Sequence, residues 1–220
     1  MAVSDRLRCY AAIHDTGLVP LFYEPDPEVA GRLAAACVDG GARVVELTNR
    51  GPGALQAFAA VVERLSGSDV WVGAGSIMDA PTAANYIGMG ARFIVSPSLD
   101  EAAARLCNRR KVPYLPGCMT PGEISRAEEL GAEIVKVFPG SVGGPEFVSG
   151  VRGPMPWTSI MPTGGVAVSA QSIGAWLGAG ACAVGIGSAL FPDNDRRQAN
   201  YDRIAARVAD ALSLIRAARG

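Results

Sequence analysis

The chain has 220 residues, 49% apolar and 19% charged, with 20 basic residues against 21 acidic ones. That composition allows a sizeable core and excludes intrinsic disorder, and a net charge of −1 argues against nucleic acid or an anionic membrane as the main partner. His14 is the sole histidine, which excludes a His-rich metal site and any mechanism needing two imidazoles.

The first residues contain no apolar run of signal-peptide length, and no stretch approaches the roughly 18 apolar residues of a membrane span. A soluble cytoplasmic protein is expected. A helix is expected over about residues 3–15. Eight short apolar, β-branched runs follow: GLVPLF from Gly17, ARVVEL from Ala42, DVWVGAG from Asp69, ARFIVS from Ala91, VPYLPG from Val112, AEIVKVF from Ala132, TSIMPTGG from Thr158 and ACAVGIG from Ala181. Their starts lie about 20 to 27 residues apart, the length of a strand, a helix and two loops. Between them lie helical patterns. In the first, Asp26 and Pro27 mark a capped start, Gly40 and Gly41 mark the end, and Val29, Leu33, Ala36 and Cys37 form an apolar stripe. The last helix is expected from about Asp195 to Arg219.

Alternating strands and helices predict parallel βαβ units, and eight of them fit a single-domain (β/α)8 TIM barrel over residues 1–220. A doubly wound open sheet is the competitor, although it more usually has five or six strands. The 27 glycines and 15 prolines gather in no single tract, so they read as turns. Cys9, Cys37, Cys107, Cys118 and Cys182 are odd in number and lack a CxxC, as expected of reduced core cysteines.

In such a barrel the chemistry sits where strands end. Lys136 is one of two lysines and lies inside an apolar strand, whereas Lys111 belongs to the charged stretch NRRK. Desolvation lowers the pKa of a buried amine, as a nucleophile requires, although a structural pair or a snorkelling side chain would also place a lysine there. Glu46, in VVELT, is either a structural ion-pair partner of Lys136 or Arg50 or a carboxylate that moves protons. Arg50 could hold a substrate carboxylate or make a surface salt bridge. PTGG and GIGS end neighbouring strands, an arrangement suited to phosphate binding by backbone N–H groups, though either piece alone would serve as a tight turn.

Taken together, GGARVVELTNR, VGAGSI, the SP of IVSPSL, YLPGCMTPGE, IVKVFP, PTGG and GSALF resemble the class I aldolases acting on 2-keto-3-deoxy-6-phosphogluconate (KDPG) and 4-hydroxy-2-oxoglutarate (KHG). The resemblance covers almost the whole chain. It implies that Lys136 forms a Schiff base and that Glu46 is the general acid/base. Arg50 is implied to hold the pyruvate-end carboxylate, and Pro97 and Phe138 to wall the pyruvyl pocket. Ser76 stands where threonine is common in the family, and Thr163 is implied to lie near the substrate hydroxyls. Gly164, Gly165, Gly187 and Ser188 match the phosphate site, with GIGS in place of the commoner GGS. One departure concerns the first strand: many relatives carry a basic residue after it, and this chain reads LFYEPD through Phe22, Tyr23 and Glu24.

The resulting expectation is a metal-independent aldolase, without an organic cofactor, that cleaves a phosphorylated 2-oxo acid. A homotrimer is implied by the resemblance alone. The alternatives are the aldolase for the galactonate-derived epimer and a non-catalytic sugar-phosphate-binding barrel. An isomerase using paired carboxylates is disfavoured, because no second strand-end carboxylate stands beside Glu46.

Overall fold

A computed structural model describes residues 5–220. The first helix, α1 (Asp5–Thr16), matches the expected one except at residues 3 and 4, which lie outside the described residues. Strands and helices then alternate: β1 (Leu18–Phe22), α2 (Pro27–Asp39), β2 (Val44–Thr48), α3 (Ala54–Arg64), β3 (Trp71–Gly75), α4 (Ala80–Gly88), β4 (Ile94–Val95) and α5 (Glu101–Arg110). Next come β5 (Tyr114–Leu115), β6 (Gly117–Cys118), α6 (Pro121–Glu129), β7 (Val135–Val137), α7 (Gly140–Arg152), β8 (Ile160–Pro162), α8 (Ala170–Gly178) and β9 (Val184–Ile186). The chain closes with α9 (Asp193–Arg197) and α10 (Tyr201–Arg219).

Several of the helices begin where short polar side chains satisfy free N–H groups. Asp26 accepts from Val29 N at 2.9 Å and starts α2 with Pro27 in the first turn. Thr120 and Glu123 form a reciprocal capping box on α6. Each such cap stabilises its helix by about 1 kcal/mol.

Every ladder is parallel. Six strands run in the order β5-β4-β3-β2-β1-β9, and three in the order β6-β7-β8. The fold is therefore α/β with a curled parallel sheet in two parts. The expected fifth strand is two short pieces in different sheets, because Pro116 between them has no N–H for a ladder. The expected single terminal helix is also two. Ala199 takes φ 50°, and Asn200 caps α10 by accepting from Arg203 N at 3.4 Å.

Two apolar layers follow from the period-two alternation of a strand. Between sheet and helices lie Leu18, Val45, Leu47, Val72, Ile94, Val135 and Ile160 with the inward faces of the helices. On the inner face lie Val19, Val44, Trp71, Phe93, Val95, Leu115, Ile134, Met161 and Ala183, packed with Cys9, Tyr10, Ala12 and Ile13 of α1. Burying a large apolar side chain is worth about 1.5–3 kcal/mol, so these layers fix which residues can face the interior further along each strand.

Candidate functional site at the strand ends

Two residues beyond an inner-face position, a strand returns to the same face. Val44 therefore puts Glu46 inside, Ile134 puts Lys136 inside, and Met161 puts Thr163 inside. Glu46 is fully buried, and neither carboxylate oxygen has a hydrogen-bond partner. Its place exists because β3 has glycine beside it. A Cβ on Gly75 would collide with Glu46 Oε1. Burial pushes the Glu46 carboxyl above its ordinary value, while the positive charges of Lys136 and Arg50 pull it down.

Lys136 is 5% exposed and pairs in register with Gly117 on one side and Met161 on the other. Its Nζ lies 4.7 Å from the centre of the Phe138 ring. Burial lowers its pKa, Glu46 opposes that shift, and Arg50 adds to it. The two ionisable groups thus sense each other without a hydrogen bond between them, which leaves their donors and acceptors free for a third molecule.

A cleft of about 340 Å3 opens at the carboxyl ends of the strands, and the buried Glu46 and Lys136 are not among its lining residues. Of the residues singled out from sequence, Arg50, Phe138, Thr163, Gly164, Gly165, Gly187 and Ser188 line it. Ser76 and Pro97 do not line that wall; they follow β3 and β4 at the same end of the sheet. Ser76 holds φ 58°, an uncommon backbone for a residue other than glycine. Arg50 is exposed and forms no ion pair among the described residues, so the surface-bridge alternative is not what the fold contains. The Thr163 Oγ1 is buried without a partner. Gly164 and Gly165 take φ 85° and 79°, conformations that glycine adopts at no steric cost. The N–H groups of Gly165, Gly187 and Ser188 make no hydrogen bond among the described residues, while Gly164 follows the parallel bridge between Thr163 and Gly185. Those open N–H groups are donors available to an anion.

Sequence reasoning missed Arg196. It lines the cleft from α9, and its Nη2 donates to Tyr23 O and to Glu24 Oε2, each at 2.8 Å. DNDRR reads as an ordinary charged surface stretch, and nothing in it signals that Arg196 meets Tyr23 and Glu24. Among the described residues no group of three or more His, Cys, Asp or Glu side chains could hold a metal. No helix among them is long and apolar enough to cross a membrane.

Ionisable residues and unpaired donors gathered at the carboxyl ends of parallel strands define a ligand-binding α/β protein of the enzyme type. A family model described as KDPG and KHG aldolase matches residues 10–207, and the chain belongs to that family of lyases. It is 34% identical to 2-dehydro-3-deoxy-phosphogluconate aldolase of Treponema pallidum over 158 residues, covering 71% of this chain and 74% of that one. The aldolase of the same name from Dickeya dadantii is 31% identical over 197 residues, 89% of this chain and 91% of its own. A solved structure described as a 4-hydroxy-2-oxoglutarate and KDPG aldolase superposes with a TM-score of 0.82 at 30% identity, covering 97% of this chain and all of that one.

Proposed function

We propose that the protein is a class I aldolase that cleaves KDPG to pyruvate and glyceraldehyde 3-phosphate, and KHG to pyruvate and glyoxylate. The observation that carries this reading is the pair Lys136 and Glu46, both buried on the inner face, with both Glu46 oxygens lacking a hydrogen-bond partner among the described residues. A neutral amine attacks the C2 carbonyl of the substrate, and loss of water gives an iminium. Burial favours the neutral amine. Glu46, through a water, takes the proton of the C4 hydroxyl. The C3–C4 electrons then flow into the iminium, the aldehyde departs, and an enamine remains. Protonation of that enamine at C3 gives the pyruvyl imine, which water hydrolyses to pyruvate and free Lys136. The lysine itself serves as the electron sink, so no organic cofactor or metal enters the scheme.

Arg50 receives the substrate carboxylate, and Phe138 and Pro97 wall the pyruvyl group. Ser76 and Thr163 supply hydroxyls, and Gly164, Gly165, Gly187 and Ser188 receive the phosphate. Support for these roles comes from family membership and from the unpaired donors at the strand ends. We also read the two sheets as one closed (β/α)8 barrel. Pro116 alone separates β5 from β6, and a parallel bridge joins Thr163 to Gly185 across the other seam. Residues 1–220 form one domain in this reading. A cytoplasmic homotrimer is proposed from family membership, and sedimentation velocity tests the assembly.

The decisive experiment is reduction with borohydride in the presence of pyruvate, followed by peptide mass mapping. Label on Lys136 with loss of activity is expected. Label on Lys111, or none, overturns the mechanism. Turnover of KDPG, its galactonate-derived epimer and KHG then ranks the substrates.

A further inference from the structure

A guanidinium carries five N–H donors, and among the described residues Arg196 uses only its Nη2. The Nε is buried with no hydrogen-bond partner, and the Nη1 makes no bond among the described residues. The Nη1 donors thus stay open on a side chain that lines the cleft, where an anionic ligand can meet them. The side chain is also held in place. Glu24 Oε2 receives Nη2 while Glu24 Oε1 accepts from Asp26 N at 3.2 Å, so the carboxylate is itself fixed. The neighbouring Asp195 is buried and pairs with Arg203 at 3.2 Å and with Arg207 on α10. This anchors the short α9 that carries Arg196.

Charge decides what it is held for. Arg50 and Arg196 are the two cations lining the cleft, and Arg50 is accounted for by the substrate carboxylate in the aldolase reading, on which this inference rests. A phosphate monoester brings nearly two negative charges at neutral pH. The glycine amides offer partial charges only, while Asp193 on the cleft wall and Glu24 behind Arg196 are both negative. A full positive charge is needed to offset them. We propose that Arg196 is a specificity-determining residue, which presents its positive charge and its Nη1 donors to the phosphate of the substrate and sets the preference for phosphorylated over unphosphorylated 2-oxo acids. Glu24 acts as a positioning residue that aims the guanidinium.

The test compares wild type with Arg196→Gln and Arg196→Lys on KDPG and on KHG. Loss of charge-assisted hydrogen bonds should raise KM for KDPG in Arg196→Gln by on the order of tenfold to a hundredfold, with kcat changing far less. The KM for KHG should move by no more than about twofold. Arg196→Lys keeps the charge without the planar fork and should fall between the other two proteins. Inhibition by inorganic phosphate should weaken in the same order. A KM for KDPG within about twofold of wild type in both variants would overturn the proposal, as would equal losses on the two substrates. Should Arg196→Gln not fold, Arg196→Lys alone carries the comparison. Failure of the aldolase reading is separable, because calorimetric titration with inorganic phosphate needs no turnover. Weaker binding in the variant still supports the role of Arg196, and equal binding overturns it.

Discussion

The two ends of the strands are built on opposite principles. At the amino ends, α1 lies over an apolar layer and most of the long polar side chains find partners, although the Thr158 hydroxyl is buried without one. Tyr10 Oη donates to Tyr114 O at 3.5 Å and accepts from Tyr114 N at 3.2 Å. Arg6 donates to Asn108 Oδ1 at 2.7 Å and to Gly131 O at 2.6 Å, tying α1 down. Arg92 stacks 3.8 Å over the Trp71 ring and reaches Asp5 at 3.0 Å. At the carboxyl ends, both Glu46 oxygens and the Thr163 hydroxyl are buried with nothing to bond, and Lys136 is desolvated. One end spends its side chains on stability. The other keeps buried polar groups uncompensated, which costs stability and leaves their bonding capacity for a ligand.

Substitutions at the two ends should therefore fail in different ways. Lys136→Met should abolish cleavage, by on the order of a thousandfold or more, because the nucleophile is gone. Its thermal midpoint should stay close to wild type. A large loss of stability with residual turnover would erase the contrast between the ends.

Glu46→Gln should lower turnover by about a hundredfold while pyruvate is still trapped on Lys136. Trapping requires the neutral amine. Glu46 raises the Lys136 pKa, whereas burial and Arg50 lower it. Removing the carboxylate should therefore move the acid midpoint of the trapping rate to lower pH. An upward shift would contradict the placement of these two groups. The same variant tests the linkage to folding. The folded Glu46 pKa lies above its ordinary 4.5, so the stability it contributes is present below that pH and is lost as pH rises through the folded value. In Glu46→Gln, the fall in melting temperature with rising pH across that window should flatten.

Gly187→Asp places a like charge beside the proposed phosphate site. A Cβ there would lie 3.3 Å from Leu21 Cδ1, so the backbone tolerates it with a small adjustment. Cleavage efficiency for KDPG should fall by about a hundredfold and that for KHG much less, since charge-assisted bonds are lost only from the phosphorylated substrate. Equal losses in a folded variant would reduce the glycine pair to a turn.

The smallest effect on turnover is expected at the other end. Ile13 on α1 is fully buried against the inner layer. Ile13→Ala should cost about 2–5 kcal/mol of stability by leaving a cavity. Calorimetric melting checks the loss. Activity per folded molecule at a permissive temperature should stay within about twofold of wild type, because no contact at the strand carboxyl ends is touched.

Much of this arrangement was legible in the sequence because it rests on local rules. Their setting in apolar strand runs marked Glu46 and Lys136 as buried charges, and Asp26 with Pro27 marked the start of α2. Glycine-rich PTGG and GIGS marked ends where backbone N–H groups stay open. Three features were not legible. The break at Pro116 divides one strand between two sheets, which depends on pairing with partners far along the chain. The split of the last helix turns on the positive φ of Ala199 and the Asn200 cap, and on Asp195 being drawn down to Arg203 and Arg207. Arg196 reaches the cleft only because that split redirects α9, and it meets Glu24 across 172 residues of sequence.

The sequence by itself thus determined the alternation of strands and helices, because that follows from apolar patterns within a few residues. It also carried the family motifs. The tertiary structure alone decided which charges stand unpaired, which glycine makes room for a carboxylate, and which arginine reaches the cleft. Those depend on distances between segments far apart in the chain, and no local period encodes them.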